Sequence, residues 1–290
     1  MFLQQLVNGI VLGSTYALIA LGYTMVYGII ELINFAHGEI YMFGAFIGMI
    51  LVTVYQVPFF IAFFLAMALA SLLGITVEYL AYRPLRRSTR LAALISAIGA
   101  SIFLQNLALL IMGSRPYSFP SPFVSKIYKT SFVTISKVEV IILIVSFLLM
   151  LGLTFLIQKT KIGIAMRATA QDKDTASLMG ININKVITAT FAVGSALGAA
   201  AGVMVGIYFR SVTPMMGLMP GLKGFVAAVL GGIGSIPGAM LGGLLLGVAE
   251  VMGADYISSQ YRDAVAFMIL IVVLLFKPSG LIGSSLQEKV

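Results

Sequence analysis

The chain has one histidine in 290 residues, and the side chains nearest it are those most able to do chemistry: Asn34, His37 and Glu39, in ELINFAHGEIYMFGAF. An imidazole beside a carboxylate can move a proton, but catalysis needs a positioned nucleophile or a second base, and none accompanies it. There is no cysteine and no second histidine, so thiolate and multi-histidine metal sites are excluded. Two readings of His37 stay open. It is a residue of a short cytoplasmic turn, satisfied by water or a carboxylate, or it belongs to a gate or path. The second rests on what surrounds it. Asn34 and Gly38 are turn formers, and they interrupt what would otherwise be one long apolar run. A break of that kind is tolerated inside a membrane only where protein or a water-filled cavity surrounds it. GGIGSIPGA, Gly231 to Ala239, is a second interruption, with Ser235 and Pro237. Paired interruptions in the two halves of a chain point to a transport path. Other polar residues inside apolar runs are few: Asn8, Ser14, Thr15, Tyr16, Thr24, Gln105, Asn106 and Glu250. Gln105 and Asn106 are adjacent on a helix, so at most one can face a path directly.

The elements that carry these residues are set by composition. The chain is 60% hydrophobic and 10% charged, against about 25% charged in soluble domains. Its apolar runs are continuous and about 20 residues long, as helical spans require. The fold class is therefore all-α: a polytopic helical membrane protein with about 8 transmembrane segments, two of them broken or re-entrant, forming a single domain over residues 1–290. The spans read as 6–29, 40–53 (short), 58–80, 91–112, 140–157, 187–209, 225–249 (interrupted) and 264–276. MFLQQLVNG has no basic region before its apolar run, so no cleaved leader is expected.

The net charge of +8 fits basic cytoplasmic loops and calls for no nucleic acid. YRPLRRSTR carries Arg83, Arg86, Arg87 and Arg90. With the basic stretch at 159–186 it marks the cytoplasmic side, so the N-terminus faces outward and the C-terminus inward. The polar loop 114–139 then lies outside.

The loop KTKIGIAMRATAQDKDTASLMGININK reads as two short helices. Asp174 is an N-cap candidate for the second, and Gly180 can end it in the left-handed conformation. Arg167, Asp174, Ser177, Leu178, Met179, Gly180 and Ile181 would form a knob with an apolar tip, suited either to docking another subunit or to lying on the membrane surface. In GSALGAAAGVMVG, Gly194, Gly198, Gly202 and Gly206 fall four apart and form one smooth stripe. Such a stripe lets a second backbone approach closely, for fixed packing or for sliding. No phosphate-binding loop occurs, so ATP-driven transport would need another chain to hydrolyse it.

Four blocks in order, STYALIALGYTMVYGIIELINFAHGEIYMFGAF, YRPLRRSTRLAALISAIGASIFLQN, RATAQDKDTASLMGIN and VLGGIGSIPGAMLGGLLLGVAE, resemble the LivH-type permeases of branched-chain amino acid ABC importers over nearly the whole chain. The resemblance implies an importer permease fold in a bacterial or archaeal plasma membrane. It also implies a second related permease chain, two ATPase subunits holding ATP and magnesium, and an external binding protein. The implied substrate is leucine, isoleucine or valine, and residues 167–182 would carry the element that seats in an ATPase. No cofactor is implied in this chain and no catalytic residue is carried over. Related permeases move other amino acids, urea or amides. An ion-coupled secondary transporter is the alternative from another class. With selectivity in the binding protein, the path itself is expected to lack strongly charged sites.

Overall fold

The computed structural model describes residues 2–86, 88–123, 126–129 and 132–283. Arg87 of the basic loop, and the C-terminal end itself, lie outside the described residues. Seven helices are long and apolar enough to cross a membrane, and two shorter apolar helices accompany them. Backbone amides in hydrocarbon need partners within their own segment, so every long apolar run is helical. In order these are α1 (Phe2–Ile30), α2 (His37–Thr53), α3 (Phe59–Val77, extended by a π-helical turn over Glu78–Tyr82), α4 (Arg90–Met112) and α5 (Lys137–Lys159). Then follow α6 (Lys161–Gln171), α7 (Lys173–Leu178), α8 (Ile183–Phe209), α9 (Leu218–Gly231), α10 (Ile236–Tyr256) and α11 (Arg262–Phe276).

Contacts among the loops define two faces. On one, Gln4 bonds both ways with the Thr134 backbone, at 2.9 and 2.7 Å. There β1 (Tyr117–Ser118) pairs antiparallel with β4 (Ser211–Val212), and β2 (Ile127–Lys129) with β3 (Thr134–Ser136). The expected polar loop is thus partly ordered, and α5 starts inside it on a Ser136–Glu139 capping box. On the opposite face Glu31 pairs with Arg90 at 3.5 Å. There Arg86 reaches buried Glu78 and donates to Asn184 at 2.7 Å, while Thr188 donates to Glu78 at 2.8 Å. These bonds tie the end of α3 to the start of α8. That second face carries the two basic stretches.

The core is α1 and α8. In their most apolar stretches 94% and 83% of residues are buried, against 17% in α4 and 6% in α11. The central helices are therefore enclosed by protein, and α4 and α11 line the outside. Small residues make this possible. A Cβ on Gly9 would stand 2.7 Å from the Val248 Cα, and one on Gly13 would stand 2.8 Å from the Leu244 Cα, so α1 and α10 touch backbone to backbone. The α8 stripe meets α1, then α2, then the residues beside the β1–β4 pair. Gly194 faces Gly22 of α1, Gly198 faces the His37 ring, Gly202 faces the α2 backbone at Tyr41 and Ala45, and Gly206 faces Phe119 and Val212.

One expectation is corrected. GGIGSIPGA does not break a span at depth; it is the turn joining α9 to α10. Gly232 and Gly234 take φ values of +106° and +93° there, Ser235 caps α10 by accepting from the Gly238 N–H at 3.2 Å, and Pro237 lies in the first helical turn. Proline there loses no hydrogen bond, because that amide has no helical partner anyway. Segment 225–249 accordingly divides between α9 and α10, which leave and return across the bundle. The second true interruption lies upstream, in the non-helical stretch 213–217 that precedes α9.

Candidate functional site

Two helices begin inside the bundle and not at its faces. After α1 the chain turns back through 31–36 and starts α2 beside the middle of α8: Gly44 packs on Ala199 and Gly48 on Val203. From the other face, 213–217 runs inward and α9 starts against the same place. A Cβ on Gly38 would stand 3.1 Å from the Gly221 Cα, and one on Gly217 would stand 2.8 Å from the Gly38 carbonyl carbon. The two helices run to opposite faces with their N-termini together. Each N-terminus exposes unpaired amides and the positive end of a dipole. Their junction favours negative charge, the arrangement used where broken helices meet a transported anion.

Glu39 occupies the junction. It is 2% exposed; Ser101 of α4 donates to its Oε1 at 3.4 Å, and its Oε2 is buried without a partner among the described residues. Asn34 lies just before, with Tyr82 donating to its Oδ1 at 3.0 Å and its Nδ2 unpaired. His37 does not fit the surface-turn reading given by sequence. It is 1% exposed and lies in no surface turn. Its ring fills the gap left by Gly22 and Gly198, edge-on to Tyr23 with ring centroids 4.7 Å apart. The imidazole bonds the Ile19 backbone, and its Nε2 has no partner. Asn34, His37 and Glu39 are thus all buried around the start of α2, each against different neighbours: Tyr82, the Gly22–Gly198 gap, and Ser101.

The other path candidates are elsewhere. Asn106 is exposed on α4 and bonds only the Ile102 carbonyl of its own helix, at 2.8 Å, and Gln105 beside it is half-buried. Gln105 lies one helical turn beyond Ser101 on α4. Ser235 and Pro237 belong to the α9–α10 turn at the basic face. Ser101 and Gly217 were missed. A lone serine gives no signal, but Pro214, Gly217, Pro220 and Gly221 in quick succession mark the second break.

At the basic face α6 and α7 form the knob. Its cap is Asp172 and not Asp174: Asp172 Oδ1 accepts from the amides of Asp174 and Thr175 at 2.9 and 3.0 Å. Both aspartates fit the capping pattern, and the structure uses the one that α6 leaves in extended backbone. Gly180, at φ +83°, closes the far end. Ile181 donates to the Ala176 carbonyl at 3.1 Å, and the Ser177 carbonyl accepts from the Gly180 amide at 3.0 Å. Arg167 donates to the Gln158 carbonyl at 3.4 Å. Leu178 and Met179 are left 88% and 79% exposed.

The family described as "Branched-chain amino acid transport system / permease component" matches residues 5–274. The chain belongs to this permease family. Over its full length and 98% of the relative, it is 51% identical to the high-affinity branched-chain amino acid transport system permease protein BraD of Pseudomonas aeruginosa. It is 49% identical, with the same coverage, to the permease protein LivH of Escherichia coli K12. Among solved structures, PsaBC from Streptococcus pneumoniae in complex with Fab aligns with a TM-score of 0.50 at 13% identity, covering 94% of this chain and 91% of that one. That likeness concerns the fold alone. The permease is a multi-pass membrane protein and a transport component, not an enzyme.

The bundle also buries a cluster of charged side chains. Lys223, in the apolar run of α9, is 5% exposed, and Glu250 of α10 is fully buried. Lys223 pairs with Glu250 at 2.9 Å and with Asp263 at 2.6 Å, and Arg262 pairs with Glu250 at 2.6 Å. An unpaired charge at mid-span costs ~2.5–3.5 kcal/mol on insertion scales; here each charge has an opposite neighbour. Glu250 was visible as a polar residue in an apolar run. Lys223 carried the same signal and was passed over.

Proposed function

We propose that the chain is the membrane-spanning permease subunit of an ATP-binding cassette importer for branched-chain amino acids. Leucine, isoleucine or valine reaches it from an external binding protein. A second, related permease chain completes the path, and two ATPase subunits, which bind ATP and magnesium, drive it. The membrane is the bacterial or archaeal plasma membrane. The N-terminus lies outside and the C-terminus inside, since the face with α6, α7 and the arginine loop is the more basic. The observation that carries the reading is the paired half-helix junction in a chain 51% identical, end to end, to a named permease of that system.

The parts divide the work. Exposed Leu178 and Met179 seat in an ATPase. Motion of α7 passes through the short link at 179–182 into α8, and through Asn184 and Thr188 to the end of α3. Rigid glycine-packed helices carry it to the junction of α2 and α9, where Asn34, His37 and Glu39 mark the polar part of the route.

The test is reconstitution. Liposomes holding the permease pair, both ATPases and the binding protein should accumulate tritiated leucine only with ATP inside. The chain alone should accumulate none under a proton or sodium gradient. Accumulation by the lone chain would establish the ion-coupled transporter instead. In the full system Glu39→Ala is expected to lower uptake by at least about tenfold, a barrier change of ~1.4 kcal/mol, with assembly unchanged. Wild-type uptake by that variant would remove Glu39 from the route.

A further inference from the structure

We infer that the buried charges on α9, α10 and α11 form a binding subsite within the permease for the zwitterionic head of an amino acid, on the N-terminal side of the half-helix junction. The inference rests on the amino acid transport reading and goes beyond it, since import as such needs no site of this kind in the permease.

The geometry is a crevice of about 220 Å³ that the charges line together with Tyr16 and Tyr41. Glu250 is the asymmetric member. Its Oε1 accepts from Tyr16 at 3.2 Å and from Lys223 at 2.9 Å, and lies 2.6 Å from Arg262 Nε. Its Oε2 is buried and has no partner among the described residues. A carboxylate offers acceptor positions on both oxygens, so one crowded oxygen beside one empty oxygen is a place for a further donor. Tyr41 lines the same crevice, fully buried, and its hydroxyl has no partner either. Buried polar groups are nearly always satisfied, and orphaned ones call for a reason. An α-ammonium donating to Glu250 Oε2 and to the Tyr41 oxygen supplies one.

The rest of the crevice fits the same molecule. Lys223 and Arg262 balance Glu250 and Asp263, so the site is neutral overall, as a zwitterion requires. The Arg262 and Asp263 side chains are 36% and 50% exposed and stand at the mouth, where a guanidinium suits a carboxylate. Ile19, Val205 and Met219 supply an apolar wall for an aliphatic side chain. A second crevice of about 250 Å³, with Gln5, Asn8 and Asp255 in its wall, shares Leu12, Phe209 and Arg262 with the first and leads to the N-terminal face.

The assembled importer, in nanodiscs and without its binding protein, should bind tritiated leucine saturably. 4-Methylpentanoate, which is leucine without the ammonium, and isoamylamine, which is leucine without the carboxylate, should compete poorly. Glu250→Gln should weaken binding by at least about tenfold. Tyr41→Phe is the safer variant, because the lost hydroxyl bonds nothing in the protein; it should weaken leucine binding while thermal stability and subunit co-purification stay at wild type. Absence of saturable binding overturns the subsite, as does wild-type affinity in the Tyr41→Phe complex. If binding is absent while ATP-driven uptake with the binding protein persists, only the subsite fails. Absence of that uptake is the separate failure of the importer reading.

Discussion

Replacing Gly202 with leucine is expected to leave no assembled, active permease, whereas the same change at Gly152 is expected to be tolerated in the isolated chain. Gly202 faces the carbonyl of Tyr41 and the amide of Ala45, so even a Cβ there meets backbone, with the Tyr41 carbonyl carbon at 3.0 Å. Backbone cannot change rotamer to make room. α2 would have to move off α8, and the half-helix junction at Gly38 would move with it. Overpacking a well-filled interior costs ~1–3 kcal/mol even where side chains can adjust; here they cannot. Gly198→Leu should be nearly as severe, because the new side chain would enter the space of the His37 ring, 3.1 Å from the Cβ position. A Cβ on Gly152 of α5 meets nothing within 4 Å. Detergent-solubilised yield and fluorescence-detected size exclusion would read both. A monodisperse Gly202→Leu complex with normal uptake would mean that α2 and α8 do not pack as described.

That contrast shows what sequence could and could not supply. Glycines four apart on one helix must share a face, so the α8 stripe was legible from 3.6-residue periodicity alone. Which neighbours it serves was not, since no local rule links Gly198 to His37 or Gly202 to Tyr41. The first broken span was legible because Asn34, His37 and Glu39 are poor company for lipid and Gly38 favours a turn. The second was expected at 231–239 and lies at 213–217. GGIGSIPG holds the denser cluster of glycine and proline and drew the reading, although it makes only an interfacial turn. The true break at 213–217 has Pro214 and Gly217 among methionines, which look apolar in any average. Lys223 was hidden in the same way, one charge inside a run that remains oily. Its partners, Glu250 and Asp263, lie 27 and 40 positions on, a pairing that only tertiary structure reveals.

The double change Leu178→Asp and Met179→Asp is expected to abolish co-purification of the ATPase subunits and with it ATP-driven uptake, while the permease itself inserts and folds normally. The two halves of that expectation have separate causes. Leu178 and Met179 are 88% and 79% exposed, so changing them removes no internal contact, and exposed substitutions away from special features usually stay within ~0.5 kcal/mol. The knob is nonetheless well fixed. Asp172 caps α7, Ala176 is buried beneath it, and Gly180 and Ile181 close it with hydrogen bonds to the Ser177 and Ala176 carbonyls. A rigid apolar tip loses little conformational entropy on docking, which is what concentrates binding energy in a few residues. Truncating a residue of that class costs ~2 kcal/mol or more, and a carboxylate adds the penalty of burying a charge without a partner. Two such changes should therefore lower affinity by more than about a thousandfold, since ~1.4 kcal/mol is tenfold. Pull-down of tagged permease from membranes co-expressing the ATPases gives the answer. Stoichiometric ATPase on the double variant would move the contact to another part of the basic face, and a loss of permease insertion would show that the tip packs on the bundle or the lipid and not on a partner.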